Sequence, residues 1–281
     1  MVPVVSGPGR VPAPGRLVGE TVWSEANRRR FEHWAWVPEG MGEGPFPLLL
    51  LLHGVYDAGG FVWWHKGSAR ETLDRLGLPV VVLMATDTGA EQGSGYCDWV
   101  DGTTRAESHV IDELLQWASW MLPVQGATRH IAGLSMGGYG SLLLALRHPG
   151  VFESASSTSG FFSPSRLFDF VPDAATRMWG DEEGQAAHDV RGLIADRTRR
   201  EGLRIAFDCG TEDVLLDDNR LMHSRLDELG VEHGYAEHAG GHDWDYWTAR
   251  LADHVCFALG HDTPLAPAAS ASRGRDLGLA R

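Results

Sequence analysis

Cysteine is scarce in this chain, with three in 281 residues at positions 97, 209 and 256. Three thiols cannot build a disulfide scaffold, and so low a count fits reduced thiols in a cytoplasm. Basic residues are also few: 24 Lys and Arg stand against 38 Asp and Glu, a formal net charge of −14. So acidic a chain lacks the basic face that nucleic-acid phosphates require, and it suits no anionic membrane surface. No apolar run nears the ~18 residues of a membrane-spanning helix. Runs such as Leu48 to Leu52 are strand-sized. The opening MVPVVSGPGRVPAPGR has no basic start leading into an apolar core, so no secretory signal is expected and the expected compartment is the cytoplasm.

What is present points to a large folded domain. Hydrophobic residues make up 43%, too many for a disordered chain. Glycine is plentiful at 35 residues but follows no three-residue period, which excludes collagen. Residues 17–24 and 31–37 alternate apolar and polar side chains, the pattern of a half-buried hairpin at a sheet edge, with Arg28, Arg29 and Arg30 at its solvated turn. Residues 47–52 and 79–84 read as strands buried on both faces, as in a parallel sheet. Further strands are expected at 129–134, 154–160, 203–208 and 231–237, and helices at 67–76, 105–122, 136–147, 217–229 and 244–259. This alternation implies an α/β fold with a mostly parallel sheet flanked by helices. Residues 86–104 read as a long functional loop. Residues 161–200, with Phe161, Phe162, Phe168 and Phe170, read as a small helical cap over a cleft. The domain should span 17–260, between flexible ends at 1–16 and 261–281.

Chemistry concentrates at Gly133-Leu134-Ser135-Met136-Gly137-Gly138, a Gly-x-Ser-x-Gly between an expected strand and an expected helix. Such a turn strains the serine into a cleft and sets it at a helix N-terminus, where backbone N–H groups favour negative charge. A serine hydroxyl needs a base, and the base needs an orienting acid. Asp213 lies 78 residues after Ser135, just past a strand, and His242 follows 29 residues later, past the next. Both fall at the strand ends where α/β active sites gather. Glu212 is the rival acid and His238 the rival base. One oxyanion N–H is expected from Met136. The other should come from His53-Gly54-Val55-Tyr56-Asp57, where Val55 follows the glycine and His53 reads as a structural histidine steadying the turn.

His53-Gly54, the Ser135 motif, Gly210-Thr211-Glu212-Asp213 and Gly241-His242-Asp243-Trp244 together resemble the esterase D family of α/β-hydrolases. That family includes S-formylglutathione hydrolases, feruloyl and acetylxylan esterases, siderophore esterases and mycolyltransferases. Tyr96-Cys97-Asp98-Trp99 is similar to a Tyr-x-Asp-Trp segment near the site in some members. The resemblance covers about residues 17–260. It implies Ser135 as nucleophile, Asp213 as acid, His242 as base, and Val55 and Met136 as oxyanion donors. It fits neither subgroup closely: mycolyltransferases are secreted, and the fuller loop motifs of S-formylglutathione hydrolases are missing.

The expected substrate is a small-molecule ester or thioester, with Tyr56, Asp98, Trp99 and Trp244 as candidate binding residues. Trp63, Trp64, Trp179 and Trp247 are further candidates for an aromatic wall. No cofactor is implied. His238, His242, Asp243 and Asp245 lack the spacing of a zinc helix, so no metal is expected there. Acyl transfer to an alcohol is the alternative reaction. A catalytically idle binding module is the alternative of another class, although idle relatives usually lose a triad member.

Overall fold

The computed structural model describes residues 15–57, 59–88, 93–170 and 172–265. The alternating N-terminal segments form β1 (Arg16–Ser24) and β2 (Arg29–Val37), paired antiparallel with Val18 opposite Ala35. The apolar runs form β3 (Leu48–Leu52) and β4 (Val81–Ala85), in which every residue is buried. The sheet continues through β5 (Arg129–Leu134), β6 (Ser154–Thr158), β7 (Arg204–Gly210) and β8 (Gly234–His238). The strand order is β1-β2-β4-β3-β5-β6-β7-β8. β2 joins β4 antiparallel, and every pairing from β4 onward is parallel. This is a mixed eight-stranded sheet with an antiparallel hairpin at one edge.

Helices cover both faces, as parallel strands with crossovers require. Leu48, Leu50 and Leu52 point into one apolar layer, shared with Leu142, Leu146 and Phe207. Leu49 and Leu51 point into the other, against Trp63, Leu73 and Val255. The period of two in β3 therefore feeds two cores, and truncating any of these leucines to alanine would cost about 2–5 kcal/mol. Helix Met136–Arg147 is apolar all round and buried along nearly its whole length, because it packs beneath the sheet centre.

The helix expected at 105–122 is interrupted in kind. It begins as Ala106–Ser108, widens to a π-helical stretch at His109–Leu114 and resumes at Leu115–Met121. This stretch places His109 Nε2 3.0 Å from His33 Nε2 and His109 Nδ1 2.7 Å from Glu113, joining the hairpin to the helix through a buried polar chain.

Residues 161–200 form short helices at Pro164–Phe170, Pro172–Trp179, Glu182–Ala186 and Val190–Leu193 and a 3-10 turn at Arg197–Arg200. Phe161 and Phe162 root this segment in the main core, stacking on Tyr139 and meeting Phe207 edge-on. The side chains of Phe168 and Phe170 lie outside the described residues, as do most of the two ends expected to be flexible. Leu265, within the second of those ends, is fully buried against Ala206 and Phe257. The cysteines are free thiols, with Cys97 and Cys209 buried. Among the described residues, no helix is long and apolar enough to cross a membrane.

Candidate active site

Ser135 joins the end of β5 to helix Met136–Arg147 and adopts φ 51°, ψ −118°, a conformation that L-residues avoid. The surrounding glycines make it possible. A β-carbon on Gly133 would lie 2.3 Å from the Gly137 carbonyl oxygen, and one on Gly137 would lie 2.5 Å from that of Leu52. Neither position has room for a side chain. The Ser135 N–H donates to the Thr158 carbonyl at 3.0 Å, which ties the turn to the end of β6.

Two other loops converge on this hydroxyl. His242 Nε2 stands 3.0 Å from Ser135 Oγ. His242 Nδ1 stands 3.0 Å from each carboxylate oxygen of Asp213. The carboxylate can only accept, so Nδ1 carries the proton and Nε2 offers its lone pair to the serine O–H. Asp213 is fixed in turn by the Leu215 N–H, which donates to Oδ1 at 2.8 Å. Burial pushes the Asp213 carboxyl up. The hydrogen bond and charge of His242, with the Leu215 N–H, outweigh that and hold it below the usual carboxylate range. Of the rival groups, Glu212 is exposed, and His238 sits at the end of β8 with its buried Nε2 unpartnered. Asp213 and His242 are the acid and imidazole that the fold brings to Ser135.

His242 is held from its other side by aromatic edges. Its ring meets Trp247 edge-to-face at 5.0 Å, Trp247 meets Trp244 at 5.3 Å, and Trp244 meets Trp63 at 5.5 Å. Each such contact adds about 0.5–1.5 kcal/mol beyond area burial. Asp243 starts helix Trp244–Ala258 by accepting the Tyr246 N–H at 3.0 Å, and this fixes the end of the His242 loop.

The loop after β3 lies against the start of the Ser135 helix, as the contact of Gly137 with Leu52 requires. His53 Nε2 accepts the Asp87 N–H at 3.0 Å, so Nδ1 carries the proton and donates to the Gly54 carbonyl at 2.8 Å. The Tyr96 hydroxyl accepts the His53 N–H and donates to the His53 carbonyl, at 3.0 and 3.1 Å. Asp57 accepts the Gly54 N–H at 3.2 Å. Val55 and Tyr56 ride on this braced loop, with Tyr56 68% exposed. Met136 opens its helix, where first-turn N–H groups have no intrahelical carbonyl. The bracing roles of Tyr96 and Asp57 carry no sequence signal, because they act on backbone atoms across the fold.

Asp98 and Trp99 serve structural contacts. Asp98 accepts the N–H of Ser108 at 3.0 Å and its hydroxyl at 2.5 Å, and pairs with Arg105. Trp99 is 3% exposed, donates its indole N–H to the Ser94 carbonyl and lies beneath Arg177. It lines a polar cavity of about 260 Å³ with Asn27, Arg29, Thr88 and Arg177. Trp179 is likewise buried. Trp63, Trp244 and Trp247 are the tryptophans that gather beside His242.

The sheet order and the serine on a strained strand-to-helix turn define an α/β-hydrolase fold. Residues 25–258 match the Esterase family, and the chain belongs to it. Among curated proteins it is 26% identical to an acetyl esterase of Caldicellulosiruptor saccharolyticus over 220 residues, covering 73% of this chain and 80% of the relative. It is 28% identical to the diacylglycerol acyltransferase/mycolyltransferase Ag85A of Mycobacterium tuberculosis over 248 residues, covering 73% of this chain and 70% of that one. Among solved structures it resembles a ferulic acid esterase with TM-score 0.76 and 24% identity, covering 87% of this chain and 98% of that chain. It also resembles an S-formylglutathione hydrolase from Agrobacterium tumefaciens with TM-score 0.77 and 20% identity, covering 92% and 98%.

Proposed function

We propose that this enzyme cleaves a small-molecule carboxylic ester or thioester through an acyl-enzyme on Ser135. The observation that carries the reading is the unbroken path from Asp213 through His242 to Ser135 Oγ, each link 3.0 Å long. As the hydroxyl adds to the substrate carbonyl, its proton passes to His242 Nε2. Asp213 stabilises the imidazolium through Nδ1–H. The N–H groups of Val55 and Met136 receive the oxyanion. The imidazolium then protonates the leaving alcohol or thiol, and the acyl group stays on Ser135. Water attacks the acyl carbon, loses its proton to His242, and Ser135 leaves with that proton returned. The scheme needs no metal or cofactor. Tyr56 and Trp244 are the substrate-contacting groups: the first is exposed on the loop that carries Val55, the second lies in the aromatic row beside His242.

Ser135→Ala should lower kcat on p-nitrophenyl acetate by at least about 10³-fold and abolish labelling by a fluorophosphonate, with unchanged circular dichroism. An alanine variant as active as the wild type would overturn the reading. The similarity to Ag85A supports a second reaction at the same serine, in which an alcohol replaces water. Product analysis with an added acceptor alcohol separates the two. Free acid as the sole product excludes transfer to that acceptor.

A further inference from the structure

Outside the Ser135 site, His223, Asp227 and His233 each present one ligand atom, and these atoms all lie within 4.8 Å of one another. We propose that these three side chains form a binding site for one divalent transition-metal ion, with Zn²⁺ the best match. Two imidazoles and one carboxylate are a borderline nitrogen and oxygen donor set that suits zinc and leaves a position for water.

The imidazoles are prepared for this. His233 Nδ1 donates to the Val231 carbonyl at 2.8 Å, which commits its proton and leaves Nε2 as a lone-pair donor. Its ring stacks on Phe207 with planes 8° apart. His223 projects from helix Leu216–Glu228, and its ring stacks on Tyr235 at 4.5 Å. His223 Nδ1 lies 2.7 Å from His233 Nε2, sharing one proton. A tetrahedral ion with Zn–N bonds of about 2.0–2.1 Å holds its nitrogens roughly 3.3 Å apart. The rings therefore part by about half an ångström as the ion takes the place of the shared proton. That proton moves to His223 Nε2, which faces Asp227 at 3.6 Å. Asp227 is exposed and lies one helical turn from His223, so its carboxylate can swing onto the ion. An ion here would tie the helix that follows the Asp213 turn to the start of β8, whose far end leads to His242.

The test is calorimetric titration of chelator-stripped full-length protein with ZnCl₂, paired with CoCl₂ titration read by visible d–d absorption. One equivalent of Zn²⁺ should bind and raise the melting temperature, and Co²⁺ should give a tetrahedral spectrum. His233→Gln should weaken binding about 10–100-fold, and the exposed Asp227→Asn should weaken it about threefold or more without disturbing the fold. Ser135→Ala and His242→Gln should leave Zn²⁺ affinity unchanged. Absence of saturable binding overturns the proposal. So does binding that both His233→Gln and Asp227→Asn leave unchanged, which would mark an adventitious ion only.

Discussion

Gly210 and Gly240 are in backbone contact: a β-carbon on Gly210 would lie 2.2 Å from the Gly240 carbonyl oxygen. The same carbonyl accepts the Glu212 N–H at 3.0 Å, and the Thr211 N–H donates to the His238 carbonyl at 2.8 Å. The turn that carries Asp213 is thereby laced to the turn that carries His242. Gly210→Ala must push the two turns apart. Overpacking costs about 1–3 kcal/mol, and a misplacement of ~1 Å costs about 10²-fold in rate. The expected outcome is a kcat about 100-fold lower with circular dichroism retained. Wild-type kcat in that variant would show that the laced turns do not set the Asp213–His242 distance.

Asp213→Asn tests the acid itself. An amide at this position either offers N–H where the carboxylate accepts or forces the wrong imidazole tautomer. A fall in kcat of roughly 10³–10⁴ is expected with little loss of fold. In the wild type, Asp213 is held below the usual carboxylate range, so it stays ionised as pH falls toward 5. The pH profile of kcat/KM should therefore carry no inflection from Asp213 at the ordinary carboxylate position. An inflection at about 3.9 that Asp213→Asn removes would show Asp213 titrating without its stabilising partners.

The parts of this protein that could be read from the chain are those whose physics is local. Leu48–Leu52 announces a strand buried on both faces, and Gly133-x-Ser135-x-Gly137 announces a strained turn, because in each case adjacent residues carry the pattern. Asp213 and His242 could be placed because each directly follows a strand. Asp98 and Trp99 are singled out by their neighbours in sequence, but what they touch is not legible there: Asp98 accepts the Ser108 N–H and Trp99 is buried. Their partners are set by how the 93–104 loop folds back, which no periodicity encodes. The His223–His233 contact is hidden for the same reason. Helical spacing relates His223 to Asp227, but only the packing of β8 brings in His233.

Tyr96→Phe probes the bracing of the loop that bears Val55. The Tyr96 hydroxyl serves both the N–H and the carbonyl of His53, and all three groups are buried. Removing it leaves two backbone groups unpaired at a cost of about 1–3 kcal/mol each. It also frees the loop, so kcat should fall about tenfold or more while fluorophosphonate labelling persists at a reduced rate. A stable Tyr96→Phe enzyme with unchanged kcat would remove Tyr96 from the support of the loop proposed to carry the oxyanion donor Val55.

Buried histidines should make the fold acid-sensitive before its carboxylates titrate. Burial, reinforced by neighbouring His109, pushes His33 down to about 3, and burial with Arg204 nearby pushes His130 down to about 4. His33 has no room for a second proton, because Nδ1 accepts the Thr86 N–H at 3.1 Å while Nε2 faces His109. In the unfolded chain both rings titrate near 6.5. Above that pH both states are neutral and the contribution to stability is complete. Below it the unfolded chain takes up protons that the folded chain refuses, so stability falls as pH falls from about 6.5 toward 3–4. Ordinary carboxylates titrate mainly below about pH 5, so the interval from about 6.5 to 5 isolates the histidines. The melting temperature should drop steadily across it, and the ring protons of His33 and His130 should show no titration in the folded protein. A flat melting temperature over that interval, or a His33 ring that titrates near its ordinary value, would refute the assignment of these rings as buried and neutral.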